Sequence, residues 1–456
     1  MAAPGPDGLA LAARVRAGET SARELAEAAI ARIEATNPQL NFLVTDCFER
    51  ALATPPADGP FTGVPMLIKD LSETAGVRTT FSSRAFASYV PTTDAAAVQR
   101  IKDAGFVVVG KSNTPEFGST AVTESALNGV CRNPWNPAHT PGGSSGGAAA
   151  AVAAGVLPLA HGTDGGGSIR IPASCCGLFG IKPSRGRVSP APFTSGSLEL
   201  SQSGPISVTV RDAAAFLDVL AGYEPGDAHW TPPPARPFLA EVGVDPGRLR
   251  IAYTAEPPIP CEIDAQVAAV ARTAADALAA LGHEVVEATP PWVDGQMLDI
   301  FARLWAVGPA LYPVSDPAHM EPLNRALAAS AHDTSSVDYA RAVLALQGAA
   351  RRIVAFWNDV DVVLTPGLGK LPVPVGWIFE PDDPWEQFRR GGELTPFTPI
   401  VNVTGQPAAM VPFGVVDGLP VGVQLIGGPA AESTLFRLAA QIEEAHPWAD
   451  RLPSIG

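Results

Sequence analysis

Two glycine-rich clusters that also carry serine stand close together in the sequence, at 141–147 and 164–168. Glycine lets successive backbone N–H groups converge on one point, which suits the stabilisation of a developing oxyanion. The second cluster, Asp-Gly-Gly-Gly-Ser, ends on Ser168, whose own amide could join the others. The pattern predicts a serine nucleophile for acyl transfer, and a plain flexible glycine turn is the alternative interpretation.

A serine hydroxyl needs a base, because it is a weak nucleophile while it keeps its proton. His161 is near Ser168 in the sequence and is one candidate. Lys69 is the other, since it follows the apolar run Gly-Val-Pro-Met-Leu-Ile, which predicts a buried strand, and burial lowers the pKa of a lysine. Only five lysines occur among the 31 lysine and arginine residues, and arginine cannot give up its proton. An ion pair between Lys69 and Asp70 is the structural alternative.

Two further motifs point to other chemistry. Residues 105–112 match the nucleotide-binding pattern GxxxxGK[ST], but the middle residues 106–109, Phe-Val-Val-Val, resemble a strand and not a phosphate loop. The pattern GxSxG occurs twice around Ser144 and Ser145, but a proline-broken loop precedes it where a nucleophile elbow needs a strand. We therefore discard nucleotide binding and keep an α/β-hydrolase-type esterase as an alternative only.

The overall composition argues against several partners. The chain has a net charge of −15 and no basic stripe, so we expect no nucleic-acid partner. The longest apolar stretch, 148–160, contains Gly155 and Pro158 and is too short to span a membrane. Five cysteines without a CxxC pair, and the lack of an HxxxH pair, argue against a metal site. We expect a cytoplasmic protein with reduced thiols and without a signal peptide, cofactor or metal.

Strand and helix patterns alternate along the chain, which predicts an α/β layered fold. Ser21 and Glu24 have the spacing of a capping box, at the start of a helix that we expect to end near Asn37 and Pro38. The other periodic segments predict helices at 92–105, 148–155, 264–282 and 430–445, and strands at 106–110, 249–253, 283–288, 360–366 and 420–427.

The two glycine- and serine-rich clusters, together with several other motifs, resemble those of the amidase signature family. Members of this family hydrolyse or transfer amides with a Ser–cis-Ser–Lys triad. Several long motifs match in order along nearly the full length, which makes the resemblance specific. They are GVPMLIKD (63–70), GKSNTPEFG (110–118), NPW (133–135), the glycine- and serine-rich segment 141–187, NVTGQP (402–407) and GLPVGVQLIG (418–427).

The resemblance implies a role for each residue of the two clusters. Ser168 would be the nucleophile, Ser144 the bridging serine after a cis peptide bond with Gly143, and Lys69 the base. The residues that would support the loop through hydrogen bonds are Ser145, Asp164 and Arg170. The amides that would form the oxyanion hole are those of Gly165, Gly166, Gly167 and Ser168. Gly165 departs from the family, where threonine, valine or isoleucine is usual.

The resemblance also implies the architecture, a single large α/β/α layered domain over 1–456 with a mixed central β-sheet covered by helices. Within it we expect a signature core at about 61–210, a variable substrate-pocket segment at about 285–395 and a C-terminal part of the core at about 396–445. The variable segment contains aromatic residues that suggest an apolar or aromatic group on the substrate, and packing in the core is the alternative explanation for its tryptophans. These residues are Trp292, Phe301, Trp305, Trp377, Phe379 and Trp385.

Within the family, the chain is most similar to standalone bacterial amidases that act on cyclic amide oligomers, anilides and carbamates (urethanes). Residues 59–70, 132–137 and His161 carry this likeness. We therefore predict hydrolysis of a carbon–nitrogen bond in a small apolar or aromatic amide or carbamate, with side activity on esters, by a monomer or homodimer. The alternative within the family is an amidotransferase component that releases ammonia from glutamine for tRNA-dependent amidation.

Overall fold

A computed structural model describes residues 7–193, 199–293, 297–451 and 453, which form fifteen α-helices and thirteen β-strands. The strands are β1 (Leu43–Asp46), β2 (Pro65–Lys69), β3 (Val107–Ser112), β4 (Glu124–Ser125), β5 (Gly129–Val130), β6 (Leu159–Asp164), β7 (Phe179–Lys182), β8 (Gln202–Ser207), β9 (Arg250–Tyr253), β10 (Glu284–Glu287), β11 (Val362–Pro366), β12 (Ala408–Val416) and β13 (Leu419–Gly427). The helices are α1 (Gly8–Arg16), α2 (Ala22–Leu40), α3 (Phe48–Ala53), α4 (Ala96–Asp103), α5 (Gly146–Ala153), α6 (Arg170–Cys176), α7 (Val210–Leu220), α8 (Ala265–Ala280), α9 (Met297–Trp305), α10 (Val307–Ala310), α11 (Pro322–Asp333), α12 (Ser336–Val354), α13 (Pro384–Leu394), α14 (Pro399–Thr404) and α15 (Glu432–Ala445).

Two mixed β-sheets meet at the strand that carries Lys69. The eight-stranded sheet has the order β10-β9-β11-β13-β12-β7-β8-β6, and the three-stranded sheet has the order β1-β3-β2. In the larger sheet β10, β9 and β11 are parallel, and the strands from β13 to β6 each run antiparallel to their neighbours. The edge strands β2 and β6 adjoin, because the backbone N–H of Lys69 donates to the Nδ1 atom of His161 at 3.4 Å.

Helices cover both faces of these sheets. The side chains of Met66 and Ile68 on β2 join one hydrophobic core with α1, α4, α7, α8 and α15. Leu67 points the opposite way and joins a second core with α2, α5 and α6. A third core packs α9, α12 and α14 against β9, β11, β12 and β13. The α/β layered class predicted from the alternation of strands and helices is therefore confirmed.

The start of helix α2 follows its sequence signal, but its end does not. Both hydrogen bonds of the capping box are present, since Ser21 Oγ accepts from the Glu24 N–H at 3.1 Å and the Glu24 carboxylate accepts from the Ser21 N–H at 2.7 Å. The helix continues through Pro38 to Leu40, so the predicted end near Asn37–Pro38 is too early. It stops where Asn41 turns to the left-handed conformation with a φ of 53°.

The segment that matches a nucleotide-binding pattern is strand β3, which pairs with β1 and β2. Its lysine, Lys111, is buried and donates three hydrogen bonds to oxygens in the turn that follows β2. These acceptors are Ser72 O, Thr74 Oγ1 and Thr79 Oγ1, at 2.5, 3.1 and 2.8 Å. Lys111 thus holds a turn of the protein, and the segment lacks the open loop that cradles phosphate.

Several elements have no clear signal in the sequence. Strands β6 and β8 pair with each other at one end of the larger sheet. They contain glycine, serine and aspartate, residues that are poor strand formers, and both strands are largely buried, so no alternation of polar and apolar residues reveals them. Helices α9 to α13, in the segment expected to vary, were also not predicted as individual elements.

Two kinds of feature are absent from the part of the chain that the structure describes. None of the helices there is both long and apolar enough to cross a bilayer. No group of three or more His, Cys, Asp or Glu residues in the same part is arranged to hold a metal ion.

Lys111→Ala is expected to lower the free energy of unfolding by about 2–4 kcal/mol, because three buried oxygens lose their donor. Denaturant unfolding followed by circular dichroism measures the change. Lys102→Ala is the matched control, since Lys102 pairs with Asp94 in a partly exposed position and its loss should cost about 1 kcal/mol or less. Equal losses in the two variants would contradict the structural role of Lys111.

Candidate active site

Lys69 is the last residue of β2, and every residue of that strand is buried. Its Nζ atom contacts Ser144 Oγ at 2.7 Å, Thr163 Oγ1 at 2.9 Å and Thr163 O at 3.3 Å. Burial lowers the pKa of Lys69 to about 7, although the negative charge of Asp164 opposes the shift. Near neutral pH, Lys69 is therefore a neutral amine in a large fraction of the molecules, as a base requires.

Ser144 lies in the loop just before α5, and contacts with Val122 and Thr123 hold this loop in place. The Gly143–Ser144 peptide bond is cis, as the resemblance implies. Residue 143 must be glycine, because a Cβ atom there would lie 2.7 Å from the backbone of Val122. The Oγ1 atom of Thr123 donates to Gly142 O at 2.8 Å and so anchors the residue before the cis bond.

Ser168 lies in the short turn between β6 and α6. The N–H of Ser145 donates to Ser168 O at 3.2 Å, which joins the two serine-bearing loops. The Ser145 hydroxyl donates to Thr163 O at 3.2 Å and accepts from the Thr163 N–H at 3.3 Å. Ser145 is therefore placed to support the loops, and Ser144 and Ser168 line the same cavity with Lys69 bonded to Ser144.

Asp164 and Arg170 form a fully buried ion pair at the two ends of this turn. Arg170 donates from Nε to Asp164 Oδ2 at 3.0 Å and from Nη2 to Oδ1 at 2.9 Å, a two-point contact. Burial alone would raise the pKa of Asp164, but the charge of Arg170 and the hydrogen bonds from Arg170 and Asn402 outweigh it and hold that pKa well below its ordinary value. The carboxylate stays charged and also accepts from the backbone of the turn.

The backbone amides of the turn do not all have the same role. The Gly167 N–H donates to Asp164 Oδ1 at 2.8 Å, so this amide holds the turn and is not free for an oxyanion. The amides of Gly165, Gly166 and Ser168 donate to no acceptor among the described residues. The four amides expected from the resemblance thus separate into one that fixes the loop and three that remain open to a ligand.

Three residues from the C-terminal part of the chain complete the site, and sequence reasoning gave them no role. Asn402 Nδ2 donates to Asp164 O at 2.8 Å, and its Oδ1 accepts from Arg170 Nη2 at 2.5 Å. Thr398 Oγ1 donates to Gly166 O at 2.8 Å. The third, Gln424, accepts from Arg170 Nη1 at 2.6 Å. The only sequence signal was that Asn402 and Gln424 fall inside matched motifs.

His161, the other candidate base, has different contacts. Its Nδ1 accepts from the backbone N–H of Lys69, and its Nε2 lies 3.3 Å from Ser203 Oγ. Burial, followed by the charges of Lys69 and Lys111, lowers the pKa of His161 to about 3. Both ring nitrogens are engaged away from Ser168, so His161 is a neutral packing residue between β2 and β8.

Two cavities open on either side of Ser168. The smaller has a volume of about 100 Å³ and the larger about 480 Å³, and Ser168 and Trp305 line both. Of the six aromatic residues of the variable segment, Phe301 and Trp305 line a cavity. The other four line neither cavity. Trp292 is buried in a core, Trp377 and Phe379 pack in a separate cluster, and Trp385 is partly exposed on α13.

Comparison with known proteins places the whole chain in one family. A family model described as Amidase matches residues 24–436. The chain is 38% identical over 478 residues to 6-aminohexanoate-cyclic-dimer hydrolase of Paenarthrobacter ureafaciens, which covers 98% of this chain and 96% of that protein. A solved structure of 6-aminohexanoate cyclic dimer hydrolase superposes with a TM-score of 0.93 at 37% identity, over 98% of each chain. One component of the glutamyl-tRNA(Gln) amidotransferase of Thermotoga maritima superposes with a TM-score of 0.78 at 31% identity, over 96% of each chain.

Asn402→Ala is expected to lower kcat about tenfold or more with a smaller change in KM, because the carboxamide holds Asp164 and Arg170 in place and does not line either cavity. Steady-state hydrolysis of an anilide measures both constants. Gln441→Ala is the matched control, since the Gln441 carboxamide bonds to His283 just before β10, at the opposite end of the larger sheet from β6. An unchanged kcat in Asn402→Ala would contradict the positioning role.

Proposed function

This chain belongs to the amidase family and is a hydrolase of amide carbon–nitrogen bonds, and we propose that Lys69, Ser144 and Ser168 carry out that hydrolysis through an acyl-enzyme. The observation that carries the proposal is the 2.7 Å contact between Lys69 Nζ and Ser144 Oγ. Because burial lowers the pKa of Lys69 to about 7, its neutral amine can accept a proton from that hydroxyl.

The first step is a relay of two protons. The Oγ atom of Ser168 attacks the carbonyl carbon of the amide, and its proton passes to Ser144 Oγ. The proton that Ser144 held passes at the same time to Lys69 Nζ, which becomes an ammonium. A new carbon–oxygen bond forms, and the carbonyl oxygen of the substrate becomes an oxyanion.

The oxyanion is held by the backbone amides of Gly165, Gly166 and Ser168. Loss of one such donor costs about 3–4 kcal/mol of transition-state stabilisation. The fourth amide, that of Gly167, fixes the turn through Asp164 and so keeps the other three in position. Preorganisation of these donors, and not a flexible glycine turn, is the role that we assign to the cluster.

The intermediate collapses when Ser144 returns a proton to the nitrogen of the leaving amine, which breaks the carbon–nitrogen bond. Lys69 reprotonates Ser144 in the same step. Water then attacks the acyl ester of Ser168 with the same relay acting as base. The products are a carboxylic acid and a free amine, and the enzyme needs no cofactor for either half of the reaction.

The proposal includes an apolar or aromatic amide, anilide or carbamate as substrate, with esters as side substrates. Phe301 and Trp305 beside the nucleophile support an apolar group on the substrate. The name of the relative from Paenarthrobacter ureafaciens adds cyclic amide oligomers to the candidates. Rates with an anilide, a primary amide, a carbamate and an ester that share one acyl or carbonyl group would rank them. We expect a monomer or homodimer. The five free cysteines support a location in the reducing cytoplasm.

A second candidate is the release of ammonia from glutamine as part of a tRNA-dependent amidotransferase, which the likeness to the Thermotoga maritima protein supports. The lining of the smaller cavity argues against it. That lining has no charged side chain among the described residues, whereas both charged groups of glutamine would need partners. Size-exclusion chromatography of the purified chain, followed by glutaminase and anilide assays, separates the candidates. Anilide hydrolysis without glutaminase activity would reject the tRNA role.

Ser168→Ala is expected to abolish turnover of every substrate, because no other group can form the acyl-enzyme. Lys69→Ala and Ser144→Ala are expected to retain less than about one-thousandth of kcat, since each breaks the proton relay. When the wild-type enzyme is mixed with an activated ester, mass spectrometry should find the acyl group on Ser168. Substantial activity in folded Ser168→Ala would overturn the assignment.

The pH dependence of kcat/KM is expected to show an acidic limb with an apparent pKa of about 7. Below that pH the Lys69 amine is protonated and cannot accept the proton of Ser144, so the rate falls about tenfold for each further pH unit. A neutral anilide is the substrate, so that only enzyme groups titrate. Lys69→Arg should be inactive at every pH, and a rate that stays level down to pH 5 would contradict Lys69 as the base.

A further inference from the structure

Trp305 divides the space around the nucleophile into the two cavities. Its indole lies 3.4 Å from the position that a Cβ atom on Gly165 would take and 3.5 Å from that on Gly166. The indole Nε1 donates to Ser119 O at 3.1 Å on the opposite side of the cleft. Because Trp305 and Ser168 line both cavities, a substrate bound at Ser168 can place one part in each.

The position of Ser144 distinguishes the two sides. Ser144 and Thr163 line the larger cavity and are not part of the lining of the smaller one. In the proposed function, on which this inference rests, Ser144 must reach the nitrogen of the leaving amine to protonate it. The geometry points to the larger cavity as the site of the amine half of the substrate, and to the smaller cavity as the site of the acyl half.

The larger cavity has the chemistry of a site for a cation. Glu73 is the only charged side chain in its described lining. No Lys, Arg or His in the described ranges lies within ion-pair distance of its carboxylate. Burial raises the pKa of Glu73, and the charge of nearby Lys111 opposes this shift. Lys111 itself is bonded to Ser72, Thr74 and Thr79 and not to Glu73. Glu73 is therefore open to a cation from the substrate.

Aromatic rings in the same cavity favour the same group. Phe81, Phe117 and Tyr312 line it together, and Tyr312 stacks on Phe117 with ring centroids 4.1 Å apart. Faces of aromatic rings attract cations such as ammonium groups. A carboxylate to which no cation is bonded, beside an aromatic wall, favours an amine half that carries positive charge.

The smaller cavity has the opposite character. Its described lining contains no charged side chain, and its walls are formed largely by apolar residues, among them Ile259, Phe301, Ile378, Phe388 and Ile400. A charged group there would lose its hydration without gaining a partner. The substrate class is therefore an N-substituted amide with an uncharged apolar acyl half and an amine half that bears a cationic group away from the scissile bond.

The experiment compares two matched sets of anilides with wild-type enzyme and with Glu73→Gln. One set keeps a hexanoyl group and varies the ring substituent among 4-methyl, 4-aminomethyl and 4-carboxymethyl. The other keeps the 4-methyl ring and replaces hexanoyl by 6-aminohexanoyl. Within each variant the ratio of kcat/KM values is reported, because a ratio does not depend on the fraction of enzyme that is folded. Glu34→Gln, a change of the same charge on the exposed face of α2, is the matched control.

Wild type is expected to prefer the 4-aminomethyl ring over the 4-methyl ring about tenfold, and to disfavour the 4-carboxymethyl ring. Glu73→Gln should bring the first ratio close to one, while Glu34→Gln keeps it. The ratio of 6-aminohexanoyl to hexanoyl should be below one in wild type and unchanged by Glu73→Gln. Ile400→Trp, which narrows the smaller cavity, should reduce hydrolysis of hexanoyl anilides relative to acetyl anilides.

Three results would overturn the inference. A shift of the acyl-half ratio in Glu73→Gln, with the ring ratio unmoved, would mean that the two halves bind the other way round. If the ratio of kcat/KM for the 4-aminomethyl and 4-methyl rings were equal in wild type and Glu73→Gln, Glu73 would have no role in binding the amine half. Failure of wild type to hydrolyse the neutral anilide, with no acyl-enzyme formed, would instead reject the proposed function and the inference with it.

Discussion

The amine of Lys69 lies in an interior where its ammonium form has lost its water, and its hydrogen-bond partners are neutral oxygens of Ser144 and Thr163. The free energy of transfer of a charge into such surroundings favours the neutral amine. Strand β2 provides this environment because its apolar side chains fill cores on both of its faces. The lowered pKa of Lys69 therefore depends mainly on the packing of two sheets and their helices, and less on its immediate neighbours.

A second buried charge makes the turn that carries Ser168 rigid. The Asp164–Arg170 pair is fully enclosed, and its remaining hydrogen-bonding capacity is taken up by Asn402, Gln424 and Thr398 from the last part of the chain. A buried ion pair is tolerated when its other lone pairs and protons are satisfied in this way. The turn that carries Ser168 is thus held by residues more than two hundred positions away, so it takes this form only when the C-terminal part of the chain has folded against it.

Sequence reasoning succeeded where function follows from local pattern and failed where it follows from tertiary contact. The apolar run before Lys69 predicted its buried strand, and the glycine clusters marked the turn of Ser168. The amide of Gly167 is indistinguishable from its neighbours in sequence, because only the path of the turn decides which amide meets Asp164. The sequence also did not distinguish which aromatic residues of the variable segment line a cavity. Phe301 and Trp305 share one face of α9, which the packing of that helix turns towards the cleft.

Contact between the Trp305 indole and the backbone at Gly165 links two positions that are far apart in sequence. A single added carbon at 165 would lie in van der Waals contact with the ring, so the branched side chain of a threonine, valine or isoleucine would have little room there unless the ring moved. The residue types at positions 165 and 305 therefore depend on each other. In an alignment of relatives, small side chains should appear at position 305 wherever a branched residue stands at 165, and an enzyme engineer who wishes to reshape this divide would have to change both together.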